Sequence, residues 1–259
     1  MPLIHGPDGP IECVVTGSGS PVTAFAHGLA GSIEETRPFG SGVVGTRVFF
    51  HFRGHGATVG SEAPWTYATL ESELRAVMSS YDVRRGLGVS LGAGALLRAA
   101  AATPEAFQRL VFVLPATIDQ PRTDPAITRM QMMAELIEDR DIDGLARALV
   151  EEQPVSVQDR PDVKLWAQRQ ARRLSATTVA RGLRELPPQH PLESRDGLAD
   201  IDCPVLVIGQ EDDAAHPAAL ARELAEALPH AEVEIFSVGG VLWTHRAELR
   251  SRIAHFLNP

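Results

Sequence analysis

The segment Arg85-Gly86-Leu87-Gly88-Val89-Ser90-Leu91-Gly92-Ala93-Gly94-Ala95 constrains this chain more than any other. An apolar strand end runs directly into a helix rich in small residues, and serine stands at the junction with glycine two positions to either side. A junction this sharp forces its apex residue into strained backbone geometry, and side chains at positions 88 and 92 would collide with the turn. The hydroxyl of Ser90 is thereby presented to solvent. The amide of Leu91 falls at a helix N-terminus, where unpaired N–H groups and the helix dipole favour a negative oxygen.

The rest of the chain agrees with such a junction. Short apolar runs at 11–15, 22–27, 46–52, 86–89, 110–114, 205–208 and 233–238 read as strands. Amphipathic segments at 67–80, 91–102, 217–228 and 247–256 read as helices between them. Strand and helix in alternation imply an α/β fold with a mostly parallel central sheet flanked by helices. From 119 to 200 the rhythm changes to helical patterns alone, at 127–138, 142–151, 163–174 and 177–186. We expect a core formed by 1–118 and 201–259, with 119–200 inserted as a helical cap over the carboxyl ends of the strands, where ligands of such sheets sit.

Composition narrows the function classes. The 259 residues are 44% apolar, enough for one substantial core, and carry a formal net charge of -9. With no arginine run interleaved with aromatics, a nucleic-acid partner has little electrostatic support, and a small-molecule substrate is expected. Cys13 and Cys203 lie in or beside apolar runs, as buried reduced thiols do, and do not suggest a disulfide scaffold or a metal site. The opening residues Met1-Pro2-Leu3-Ile4-His5 lack a basic region followed by an apolar core, and no run approaches roughly 18 apolar residues. The expectation is a cytoplasmic monomer or homodimer without membrane association.

The Gly88-x-Ser90-x-Gly92 turn in this context resembles the nucleophile elbow of the α/β-hydrolase superfamily. Upstream, Phe25-Ala26-His27-Gly28-Leu29-Ala30-Gly31-Ser32 is similar to that family's His-Gly loop, which by resemblance makes the Leu29 amide a second oxyanion donor beside Leu91. His27 is read as bracing this loop. Phe52-Arg53-Gly54-His55-Gly56 is similar to the family's Asp-x-Arg-Gly-His-Gly turn, with His51 where the aspartate is usual. Arg53 and His55 are read as bracing residues too.

Toward the C-terminus, the stretch from Pro204 to Pro217 resembles the strand and loop that carry the acid of a catalytic triad, and two aspartates compete for the role. Counting forward from Gly209 favours Asp212; counting back from Pro217 favours Asp213, the preferred reading. The family's histidine commonly follows a glycine pair after the last strand. Here Gly239-Gly240 is followed by Val241, and His245 stands four residues later. The order Ser90, Asp213, His245 suits the fold, and His245 is the expected base, with His216 or His55 to substitute if it does not reach.

The resemblance implies a serine hydrolase acting on an ester, thioester or lactone through an acyl-enzyme, with no cofactor or metal. Val241 motivates the alternative, a non-hydrolytic catalyst or small-molecule binder on the same scaffold. A third reading, in which Gly86, Gly88 and Gly92 cradle a nucleotide phosphate, departs from the usual dinucleotide spacing and lacks a Walker lysine.

Overall fold

The computed structural model describes residues 3–60 and 62–258. Met1 and Pro2 of the N-terminal stretch, with Ser61 and Pro259, lie outside the described residues. Eight strands form one sheet: β1 (Leu3–Gly6), β2 (Gly9–Thr16), β3 (Val22–Ala26), β4 (Thr46–Phe50), β5 (Arg85–Val89), β6 (Arg109–Val113), β7 (Val205–Gln210) and β8 (Ala231–Phe236). Their order is β1-β2-β4-β3-β5-β6-β7-β8, with the β1–β2 and β2–β4 pairs antiparallel and the remaining pairs parallel. Seven of these lie where apolar runs predict them. The eighth, β1, is a four-residue edge strand closed onto β2 by the turn at Pro7-Asp8, too short and too exposed to carry an apolar pattern.

Both faces of the central strands β5, β6 and β7 are buried, which is why they read as unbroken apolar runs, whereas the edge strands β1 and β8 are partly exposed. Ala24, Ala26, Leu110, Phe112, Val205 and Val207 point into a core shared with α2 (Tyr67–Tyr81), α3 (Leu91–Ala102) and α8 (Ala218–Glu226). Their alternates Phe25, Leu87, Val89, Val111, Val113, Leu206 and Ile208 point to the other face, which is covered by α9 (Arg246–Leu257) and the segment from Ile33 to Gly40. That segment includes α1 (Ile33–Thr36). Cys13 and Cys203 are buried and unpaired. Burial pushes the Cys13 thiol up to about 12 and that of Cys203 up to about 11.

Between β6 and β7 the described residues hold helices and no strand: α4 (Asp124–Glu138), α5 (Ile142–Glu151), α6 (Pro161–Leu174) and α7 (Val179–Glu185). Local chemistry sets their ends. Proline opens α6 at its first residue, where its missing N–H costs nothing, and Asp141 caps α5 by accepting from the Gly144 amide at 2.8 Å. Met130 and Met133 are buried, whereas Met132 is exposed. Among the described residues no helix is long and apolar enough to cross a membrane.

Strand register sets up the site. Val89 pairs with Val113, and Val113 with Ile208, so the residues following β5 and β7 emerge at the same sheet edge. Ala26 pairs with Gly88, which brings the loop after β3 to that edge as well.

Candidate active site

Ser90 sits between β5 and α3 at φ 50° and ψ −106°, a conformation that non-glycine residues rarely adopt. The flanking glycines make this possible. A Cβ at Gly88 would overlap the carbonyl of Gly92, and one at Gly92 would overlap the carbonyls of Ala26 and His27. Ser90 is anchored by its amide, which donates to Val113 O at 2.9 Å, and by its carbonyl, which accepts from Gly94 N at 3.1 Å. Gly28 lies against it: a Cβ there would touch Ser90 Cβ at 3.5 Å. Leu29 follows Gly28 on the loop after β3, and Leu91 follows Ser90 as the first residue of α3.

The imidazole beside Ser90 belongs to His216. Its Nε2 is 2.9 Å from Ser90 Oγ, and its Nδ1 is 3.1 Å from Asp213 Oδ2. A neutral ring that donates from Nδ1 to the carboxylate leaves Nε2 free to accept the serine proton. Asp213 Oδ1 accepts from the amides of Ala215 at 2.9 Å and His216 at 3.0 Å. Burial works against the charge on Asp213, but His216 and these amide bonds outweigh it and hold the carboxyl below the usual carboxylate range. Asp212 is exposed and adopts φ 59°. Of the two competing aspartates, only Asp213 contacts an imidazole.

His245 is not the partner of Ser90. Its Nε2 faces Ser237 Oγ at 3.4 Å and its Nδ1 faces Glu248 Oε2 at 3.5 Å, on the rim of α9. The cause lies in the preceding turn. Gly239 at φ 131° and Gly240 at φ 75° open a π-helical turn over Gly240–Thr244, which buries Val241 and sends Trp243 outward to the inserted helices. Trp243 Nε1 donates to Gln153 Oε1 at 2.9 Å, and its ring packs edge-on to Trp166 at 5.4 Å. Val241 N donates to Gln210 Oε1 at the end of β7. The loop that the glycine pair marks thus ties the inserted helices to the sheet. The histidine that meets Ser90 comes from the loop after β7 instead, and its signal was the Asp213-x-x-His216 spacing, which folds an imidazole back onto a carboxylate three residues earlier.

Three further histidines hold the loop after β3, each as a neutral acceptor. His55 Nε2 accepts from Ala30 N at 3.0 Å, His51 Nε2 from Ile33 N at 3.0 Å, and His27 Nε2 from Phe52 N at 3.1 Å. Their Nδ1 atoms face Arg53 O at 2.8 Å, Glu12 Oε2 at 2.8 Å and Gly28 O at 2.7 Å, respectively. Burial drives all three imidazoles toward the neutral form, His55 down to about 3. His51 stands where the resembling turn has aspartate, and the carboxylate comes from Glu12 on β2, which also accepts from Ala57 N at 2.6 Å. Arg53 donates to Glu73 Oε1 at 2.7 Å and contacts Asp8. From the inserted helices, Gln170 and Arg173 of α6 donate to the carbonyl of Ala30 at 2.5 and 3.1 Å.

One charged residue at the site is not legible in the sequence. Arg122 Nη2 donates to Ser90 Oγ at 3.3 Å, and Nη1 donates to Ala215 O at 3.1 Å.

A family model described as the alpha/beta hydrolase family matches residues 15–251. Among solved structures, an enol-lactonase from Burkholderia xenovorans superposes with a TM-score of 0.83 at 18% identity, covering 100% of both chains. A bromoperoxidase from Bacillus anthracis gives 0.82 at 17% identity, covering 100% of this chain and 99% of that one. An esterase from Exiguobacterium antarcticum gives 0.79 at 17% identity, covering 99% of each. At these identities the likeness establishes a shared fold.

Proposed function

The chain belongs to the alpha/beta hydrolase family, and on that premise we propose that it is a serine hydrolase cleaving an ester, thioester or lactone of a small molecule. The observation that carries this reading is the contact chain from Ser90 Oγ through His216 to Asp213. His216 Nε2 takes the hydroxyl proton as Ser90 Oγ attacks the carbonyl carbon. The carbonyl oxygen becomes an oxyanion that the Leu29 and Leu91 amides stabilise, and Asp213 fixes the tautomer and balances the imidazolium. The imidazolium then protonates the departing alcohol or thiol, leaving an acyl group on Ser90. Water, deprotonated by the same imidazole, releases the acid and restores the serine.

The helices between β6 and β7 act in this reading as the cap that shapes the substrate pocket, braced on the sheet through Trp243 and on the oxyanion loop through Gln170 and Arg173. Valine at position 241 would favour a non-hydrolytic scaffold if no other imidazole reached the serine, and His216 at 2.9 Å from Ser90 Oγ supports the hydrolase reading instead. Two of the proteins that share this fold are an esterase and an enol-lactonase, in keeping with an ester-type bond.

The test is labelling with a fluorophosphonate together with turnover of a panel of aryl esters, thioesters and lactones. The wild-type protein should label stoichiometrically at neutral pH, and Ser90→Ala should lose labelling and roughly ten-thousand-fold in rate while remaining folded. Undiminished turnover by folded Ser90→Ala protein overturns the mechanism.

A further inference from the structure

Arg122 is a cation brought to the nucleophile without an ion-pair partner. Three other half-buried arginines have one, Arg129 meeting Glu152 at 2.5 Å, Arg98 meeting Glu71 at 2.8 Å and Arg195 meeting Asp119 at 2.9 Å, whereas Arg173, which like Arg122 is held by carbonyls, does not touch Ser90. Among the described residues no carboxylate lies within ion-pair distance of Arg122, whose guanidinium is held by the Ala215 carbonyl and Ser90 Oγ. Its backbone is fixed as well, the amide donating to Pro187 O at 3.2 Å. Desolvation lowers its pKa, yet a guanidinium remains charged at neutral pH.

The carboxylates of Asp213 and Glu152 favour the charge from beyond contact, but the direct partners of the guanidinium are neutral oxygens, so desolvation still costs free energy that an incoming anion in contact would recover. The placement also restricts where that anion sits. Ser90 Oγ must approach the scissile carbonyl carbon, so a group within 3.3 Å of Oγ faces atoms close to that carbon. Of the five N–H donors of a guanidinium, two are engaged, and the planar fork matches a carboxylate better than an ammonium would.

Building on the serine-hydrolase reading, we propose that Arg122 is a specificity-determining residue that binds a carboxylate of the substrate, so that the natural substrate is an anionic ester such as a monoester of a short dicarboxylic acid. Arg122 leaves Ser90 for the carboxylate as the substrate enters, and Ser90 Oγ keeps its bond to His216.

Monoethyl succinate and ethyl levulinate test this, since a methyl ketone in one replaces the carboxylate of the other at similar length. Binding of each to folded Ser90→Ala protein is measured by titration calorimetry, which needs no chemistry. We expect the anion to bind at least about tenfold more tightly, the worth of one charge-assisted contact. Arg122→Gln in the same background should abolish the preference, and Arg122→Lys should restore part of it. In turnover by the protein with Ser90 intact, the preference should appear chiefly in KM. Equal binding of the two esters, or an Arg122→Gln effect equal on both, overturns the proposal. Failure of fluorophosphonate labelling would strike the hydrolase reading alone and leave the binding result to decide this one.

Discussion

His216 reaches Ser90 Oγ at 2.9 Å from a position only three residues beyond Asp213, the carboxylate that holds its other ring nitrogen. Acid and imidazole therefore share one loop, anchored by two amides that donate to the same carboxylate oxygen. A displacement of this loop moves both groups together, and the bond between them is largely a local one.

His216→Ala should lower kcat by about ten-thousand-fold, the usual loss of a triad base, whereas His245→Ala should leave kcat within about threefold of wild type. Steady-state kinetics on a common aryl ester separates the two. Comparable losses in both variants would return His245 to the mechanism.

Asp213→Asn is expected to cost on the order of ten-thousand-fold in kcat, because an amide permits the wrong imidazole tautomer. Asp212→Asn should have little effect, since its side chain is exposed and makes no contact with the ring. Circular dichroism on both variants verifies that the loss is not one of folding.

Acid should loosen the loop after β3 before it affects the carboxylates. His27, His51 and His55 have folded pKa values depressed by burial, so the unfolded chain binds more protons than the folded one below the ordinary histidine value near 6.5. The stability they allow is complete above about 6.5 and falls as pH drops toward the folded values, about 3 for His55. Each histidine contributes a slope of up to ~1.4 kcal/mol per pH unit. Urea unfolding between pH 7 and 5 should show this fall, with a shallower slope in His55→Gln.

Gly92→Ala should destabilise the fold by about 1–3 kcal/mol or more, because the new methyl group meets backbone rather than a side chain that could move away. Urea midpoints report the cost. The overlap falls on the Ala26 and His27 carbonyls, so the loop after β3 should shift too, and kcat should drop along with stability.

Much of this protein is legible along the chain because its decisive features are local. The period of the apolar runs and the two glycines around Ser90 are enough to specify a parallel sheet with an exposed serine, since both follow from backbone sterics within a few residues. The spacing of Asp213 before Pro217 belongs to the same class. What tertiary structure alone decided is which side chains meet Ser90 from afar. Ser90 and His216 are 126 positions apart, and their meeting depends on the sheet register that aligns the ends of β5 and β7. His245 was the natural reading of the glycine pair, but the π-helical turn after Gly239 spends that loop on docking Trp243 against the inserted helices. Glu12 serving His51 from another strand, and Arg122 arriving from the start of the insertion, have the same origin: no local pattern encodes a contact whose geometry is set by the packing of distant elements.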